Sequence, residues 1–380
     1  MRTDQRPSDE TIHFFATAAK GTEGALRDEM RELGFRKIRA DRGGVHFEGA
    51  LTEGMRACLE LRIAVRVLAL LSETETPNEA ALYEAVRAID WSPYIDPRKT
   101  LAVRAACKDS ILTHTQYIAQ KTKDAIVDQQ RERLGRRPNV DLDDPDLSVF
   151  VHLVQNRASI YVDLSGESLH MRGYRKQIEE APLKETLAAA ILRLSGWDRK
   201  TPLVDPMCGS GTIAIEAALW ARDIAPGSLR SRHGFERWSG HDATRIRDIA
   251  VLRERAKARI RKDVPFIAGS DISEKAIETS KLNARRAGIP LTFARGDVRE
   301  VEPTEPAGYI VTNPPYGERL PGGEALYWDM AGAFLALSGH HVVILAGTPD
   351  IPEAMRVRPD MEHTVWNGPI ECRLFGYLIP

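Results

Sequence analysis

The sequence predicts an α/β protein in two parts, an N-terminal α+β module followed by a doubly wound, Rossmann-like domain. Three observations carry this. Short apolar segments in the first 165 residues switch between strand-like and helical periods. From Leu203 onward, apolar strands and amphipathic helices alternate regularly, the rhythm of a mostly parallel sheet. Near the start of that rhythm lies a glycine-rich loop, Asp205-Pro206-Met207-Cys208-Gly209-Ser210-Gly211, between an apolar strand and a helix start.

Taken in order, Ile12 to Ala18 reads as a strand, and Gly21 to Leu33 as a helix with Leu26, Met30 and Leu33 on one face before Gly34 stops it. Val45 to Glu48 alternates as a strand and Leu51 to Ala64 returns to helical period, which suggests a split βαβ unit of ferredoxin type over residues 11–66. A second unit, 67–165, begins with a strand at Val67 to Leu71, a helix near Asn78 to Ile89 and a strand at Thr100 to Ala105. It continues with a helix at Thr115 to Leu134 and strands at Ser148 to Leu153 and Ser159 to Leu164, with a hairpin turn at Gln155 to Ala158. Arg136 to Asn139 and the acidic Asp141 to Asp146 read as surface loop. A linker is expected over 166–182 and the second domain over 183–380. Its strands are expected at Leu203 to Asp205, Phe266 to Asp271, Leu291 to Asp297, Tyr309 to Asn313 and Val342 to Ala346, and its helices at Thr212 to Ala221 and Glu274 to Ala287. Asn367-Gly368 between two further apolar runs signals a closing antiparallel hairpin, for a seven-stranded mixed sheet.

Composition narrows the function classes. With 380 residues there is ample material for more than one core, and 53 basic against 54 acidic residues leave no global basic field, so any nucleic-acid surface has to be local. Met1 to Glu10 lacks the apolar stretch of a signal peptide and no apolar run is long enough to span a bilayer, so a soluble, cytoplasmic protein is expected. The four cysteines lack the spacing of a metal or redox motif, so no metal is expected.

The glycine loop places backbone N–H groups at a helix N-terminus, but Gly211 is followed by Thr212-Ile213 and not by the Lys-Ser/Thr of a Walker loop, which argues against nucleotide hydrolysis. Asp271, with Ile272 after it, ends the next strand and can accept ribose hydroxyls. Asp297, with Val298 after it, ends the one after that and can accept from an adenine amino group. Three successive strand ends therefore outline a site for S-adenosylmethionine, whose product is S-adenosylhomocysteine, with Asp205 orienting the loop or touching the methionine ammonium.

Asn313-Pro314-Pro315-Tyr316 follows at a fourth strand end. An exocyclic amine on a base has its lone pair delocalised into the ring. A carboxamide oxygen and a backbone carbonyl accepting from the amino group turn that pair outward, and a tyrosine ring offers a stacking face. The tetrad suits adenine N6, guanine N2 and a glutamine amide alike. No catalytic carboxylate is needed, and a paired base has to be unpaired or flipped out.

The chain resembles the bacterial 23S rRNA guanine-N2 methyltransferases that carry a THUMP RNA-binding domain. The resemblance rests on 43–47, 123–128, 137–141, 163–166, Leu169 to Arg175, Ala181 to Ala190, the Asp205 loop and Asn313 to Leu320. It implies a ferredoxin-like lead-in plus THUMP domain, Lys184 and Thr186 near the cofactor or target base, and guanine N2 of 23S rRNA as the target. Some members carry a second, 7-methylguanine-forming methyltransferase after this module. Because this sequence stops at Pro380, that activity is expected to be absent or supplied by another chain.

Between Arg98 and Arg137 ten basic residues face four acidic, which nominates Lys108, Lys121, Lys123, Arg136 and Arg137 as RNA contacts, with Arg172, Tyr174 and Arg175 from the linker. Eleven basic against five acidic residues between Arg230 and Asp263 suit a solvated helix equally well; Phe235 and Trp238 are expected to pack. A monomer is expected, with a larger assembly open. Competing readings are a tRNA guanine-N2 methyltransferase, a DNA adenine or protein glutamine methyltransferase, which leaves the first 165 residues idle, and a catalytically silent RNA-binding or assembly factor, against which the Asp205, Asp271, Asp297 and Asn313 series argues.

Overall fold

A computed structural model describes residues 11–175, 183–315, 324–348 and 350–380. The expectations for Met1 to Glu10, for Tyr316 and the rest of its motif to Leu320, and for Ala181-Pro182 lie outside these residues.

The first part runs β1 (Ile12–Thr17), α1 (Glu23–Glu32), β2 (Arg36–Asp41), β3 (Gly44–Gly49), α2 (Leu51–Glu60), β4 (Arg66–Glu75), α3 (Glu79–Ala88), β5 (Thr100–Lys108), α4 (Thr115–Leu134), β6 (Asn139–Val140), β7 (Leu147–Val154) and β8 (Arg157–Asp163). The amphipathic stripe of α1 buries Leu26 and Met30 as expected, and Phe14 stacks on Phe47 at 4.8 Å beneath it. The β7–β8 hairpin turns through Gln155 and Asn156, both left-handed (φ 50 and 62), the geometry whose twist matches flanking strands.

The sequence suggests two units in series; in the structure all eight strands form one sheet, ordered β2-β3-β1-β4-β8-β7-β5-β6. The ten-residue β4 makes the join, since its start pairs with β1 and its length pairs with β8. Two strands escape the sequence reading because both are exposed edges with no apolar alternation: β2, Arg-Lys-Ile-Arg-Ala-Asp, and the two-residue β6, inside the stretch read as loop.

The second part runs α5 (Glu185–Leu194), β9 (Leu203–Asp205), α6 (Thr212–Ala221), α7 (Ala243–Ala258), β10 (Ile267–Asp271), α8 (Glu274–Arg286), β11 (Thr292–Arg295), β12 (Tyr309–Thr312), α9 (Glu324–Leu335), β13 (His341–Ala346), α10 (Asp350–Met355), β14 (Met361–Asn367) and β15 (Ile370–Leu378). Its seven-stranded sheet is ordered β11-β10-β9-β12-β13-β15-β14, parallel except where β15 runs against β13 and β14. The order reverses between β9 and β12, which opens a crevice at their carboxyl ends.

The two parts touch through backbone. Trp366 N–H donates to Lys20 O at 3.1 Å, and the Lys20 ammonium sits 3.5 Å from the centre of the Trp366 ring. At Gly21 (φ +87) a Cβ would fall 2.2 Å from Thr364 O, so only glycine permits this approach.

Candidate active site

The crevice at the reversal point is a cavity of about 590 Å³. It is lined by Asp205 to Ser210, Thr212, Asp271, Ile272, Asp297, Val298 and Asn313 to Pro315, so four strand ends widely spaced in sequence meet around one space. Leu183, Ile213, Arg299, Leu326 and Asp329 also line it and were not singled out from sequence. Only the proximity of Leu183 to the Lys-Glu-Thr segment and of Arg299 to Asp297 offered a signal for them.

The loop is held by its own backbone. Cys208 N–H donates to Ser270 O at 2.9 Å, Asn283 Nδ2 donates to Ser210 O at 3.0 Å, and Gly209 and Gly211 are left-handed (φ 51 and 81). A Cβ at Gly211 would lie 3.0 Å from the Phe293 ring, so the helix start packs directly on its neighbour. Asp271 closes the loop from the next strand: its Oδ2 accepts from Gly209 N–H and its Oδ1 from Ser273 N–H, both at 2.9 Å. Each oxygen keeps a lone pair for a hydroxyl.

Asp205 is 2% exposed, and its Oδ1 accepts from Thr312 Oγ1 at 3.0 Å and Met207 N–H at 3.2 Å. Burial pushes this carboxyl up to about 7 despite those hydrogen bonds, with Asp271 adding to the rise. Asp297 behaves oppositely. It caps the turn at Val298–Glu300 and is gripped by Arg299, whose guanidinium meets both oxygens at 2.6 and 3.0 Å and holds the carboxyl down to about 2. Arg299 also lies 3.9 Å from Asp329 on α9.

Asn313 directly follows β12, and its Oδ1 is buried with no hydrogen-bond partner among the described residues. A buried acceptor left open costs about 1–3 kcal/mol unless a bound molecule satisfies it. Pro315 O is already engaged, accepting from the Tyr327 hydroxyl at 2.8 Å. Lys184 and Thr186 do not line the cavity: Lys184 is the exposed residue preceding α5, and Thr186 is buried in the helix's first turn.

The linker residues are inside and not at an RNA surface. Arg172 and Tyr174 are each 1% exposed. Arg172 lies 3.5 Å from Glu216 on α6 and donates to Leu169 O and Arg62 O, while the Tyr174 hydroxyl donates to Glu216 at 3.2 Å. Arg175 donates to Thr212 Oγ1 and pairs with Glu185 at 3.6 Å, bracing the helix that carries the glycine loop. Glu216 sits more than forty residues away, so nothing local in the sequence marks these arginines as internal. Of the other nominated cations, Lys108 lies 3.8 Å from Asp109, Lys123 pairs with Asp124, Lys121 stands 5.6 Å from the Tyr83 ring, and Arg136 and Arg137 are exposed. Phe235 and Trp238 are buried, as expected.

A Rossmann-like sheet closed by an antiparallel hairpin, with an open acceptor beside a glycine loop, defines a group-transfer domain coupled to an α+β module. By its matches the chain belongs to the RMKL-like methyltransferase-domain family, whose model covers residues 172–375, with a THUMP domain at 77–163 and an RlmL ferredoxin-like domain at 13–68. It is 43% identical over 376 residues to the "Ribosomal RNA large subunit methyltransferase K/L" of Methylococcus capsulatus, covering 96% of this chain and 51% of that protein. The protein of the same name from Syntrophotalea carbinolica is 40% identical, with 97% and 54% covered. The chain spans about half the length of these curated relatives. Among solved structures, that of SMU.472 complexed with SAH superimposes with a TM-score of 0.87 at 30% identity, covering 98% of this chain and 99% of that one. A Listeria monocytogenes protein described as an N6-adenine-specific DNA methylase matches with the same TM-score at 31% identity, covering 98% and 97%.

Proposed function

We propose that this chain transfers a methyl group from S-adenosylmethionine to the N2 amino group of a guanine in large-subunit ribosomal RNA. The observation that carries the reading is that Asn313, whose buried Oδ1 has no hydrogen-bond partner among the described residues, lines the same cavity as the Asp205 loop. The acceptor set fits the cofactor: Asp271 has lone pairs for a ribose diol, Asp297 for an adenine amino group, and Asp205 for an ammonium. At about 590 Å³ the cavity has the size of a cofactor site.

When bound, the cofactor supplies an electrophilic methyl group on a sulfonium sulfur. Asn313 Oδ1 accepts one amino hydrogen and the Pro314 carbonyl a second, which turns the nitrogen lone pair out of conjugation with the ring. As the nitrogen forms its new bond it becomes acidic, and its proton passes to one of these acceptors or to water, so no general base is required. Ribosomal RNA as substrate draws support from the two curated relatives' names and from the 160 or so residues of ferredoxin-like and THUMP sequence ahead of the transfer domain. On this reading 11–66 and 67–165 engage RNA, 166–182 links, and 183–380 carries transfer.

Labelled methyl transfer into total RNA from cells lacking the protein, followed by nucleoside analysis, tests the reading. Label in 2-methylguanosine of 23S rRNA supports it, and label confined to tRNA refutes it. Asn313→Ala should lower kcat by about 100-fold through lost orientation while leaving RNA affinity within twofold. Equal loss of RNA binding would show that Asn313 has a different role.

A further inference from the structure

Helices cover one face of the eight-stranded sheet. Alternation sends Phe14, Ala16, Val45, Phe47 and Val67 into the core with α1 and α2, so Phe15, His46 and Leu68 point the other way. The register aligns that second face across the sheet. Phe15 stands opposite both His46 and Leu68, Tyr161 opposite both Leu70 and Phe150, and Phe150 opposite Arg104. None of Phe15, Leu70, Phe150 and Tyr161 belongs to the core beneath the helices; Phe15, Leu70 and Phe150 are half-buried, while Leu68 and Tyr161 in the middle of the row are buried. The Gly234 turn of the second part meets this face at its Asp163 end.

The solvent face of an antiparallel sheet is ordinarily polar, and this one carries rings. Phe15 lies 4.7 Å from His46, and Phe150 and His152 stack at 6.4 Å with planes 18° apart. Partial desolvation against neighbouring side chains lowers both imidazoles, which favours their uncharged forms. Arg104, opposite Phe150, is exposed at one end of the row, and Arg39, opposite His46 at the other, is exposed and paired with Asp41 at 3.0 Å. The His46 and Phe150 stations are four strand spacings apart, about 19 Å.

We propose that this sheet face, through its half-buried Phe15 and Phe150, is a stacking platform for unpaired bases of the RNA, spanning both halves of the N-terminal module, with Arg104 against the phosphates. The inference rests on the RNA reading above. Neutral rings with sparse flanking cations suit single-stranded RNA, because every base offers a π-face and duplex RNA hides its own.

The test is fluorescence titration of the full chain with an unpaired purine-rich oligoribonucleotide and with a hairpin duplex of the same composition. Phe150→Ala and Phe15→Ala should each weaken single-strand binding by roughly five- to a hundredfold, with Phe150→Trp retaining it. The dependence of affinity on salt should not change, because no cation is lost. His152→Ala, at an exposed position, serves the same purpose should a phenylalanine variant fail to fold. The proposal is overturned if the ring variants bind like the parent, if duplex binds as tightly as single strand, or if the face proves to join two copies of the chain. A parent chain that binds no RNA of either kind instead sinks the RNA reading itself.

Discussion

Replacing Arg172 with alanine removes one member of a charge network that is sealed from water. The side chains of Arg172 and Glu216 are 1% and 0% exposed, and the guanidinium also serves two carbonyls, Leu169 O at 2.7 Å and Arg62 O. After the substitution Glu216 retains the Tyr174 hydroxyl and the field of the buried Arg62, but no cation among the described residues hydrogen-bonds to it. An uncompensated buried charge of this kind costs about 3–5 kcal/mol. Arg172→Met combined with Glu216→Leu removes both charges and should recover most of that loss, because the pair's attraction largely offsets its desolvation. Urea unfolding followed by tryptophan fluorescence on the four corners of the cycle gives the coupling energy. RNA titrations at several salt concentrations run in parallel, since the competing idea is that Arg172 holds phosphate. A stability change below about 0.5 kcal/mol, together with a salt slope reduced by about one, would refute the internal role and put Arg172 back on the RNA.

Asp205 sets a pH dependence. Its folded carboxyl titrates at about 7, above the unfolded value of 3.8, so the folded state holds the extra proton and stability falls as pH rises between those values. Melting of the cofactor-free chain should show this decline, worth up to about 4 kcal/mol at 1.36 kcal/mol per unit, and Asp205→Asn should flatten it; an unchanged profile in the variant would assign the decline elsewhere. Asp271→Ala, by freeing the Gly209 N–H and removing the diol acceptor, should weaken S-adenosylhomocysteine binding at least tenfold in calorimetry before it alters RNA affinity. Gly211→Ala should lower the melting temperature and cofactor affinity together, since the left-handed backbone alone costs about 1–2 kcal/mol and the added methyl meets Phe293 and Ser280; wild-type affinity would mean the loop relaxes freely.

The strand ends that build the cavity were legible in the sequence because a parallel sheet with helical crossovers delivers each strand's carboxyl end to the same edge. Once strands were placed at Leu203, Phe266, Leu291 and Tyr309, the residues Asp205, Asp271, Asp297 and Asn313 followed as neighbours, and the cavity is lined by all four. The closing hairpin was equally local, since Asn367-Gly368 announces a tight turn and Gly368 takes the left-handed conformation it needs (φ 65).

What the sequence by itself determined, then, is the order of elements and the chemistry that converges at one sheet edge, because periodicity and turn residues act over a few neighbours. Only the tertiary structure decided which charges face inward. Arg172 reads like an RNA contact until Glu216 is brought beneath it, and Arg299 is unremarkable until it grips Asp297 beside Asp329. The fusion of two small units into one eight-stranded sheet rests likewise on the β4–β8 pairing, across about ninety residues. A charge or an edge strand carries no address for its partner; burial supplies one, and burial is a property of the packed whole.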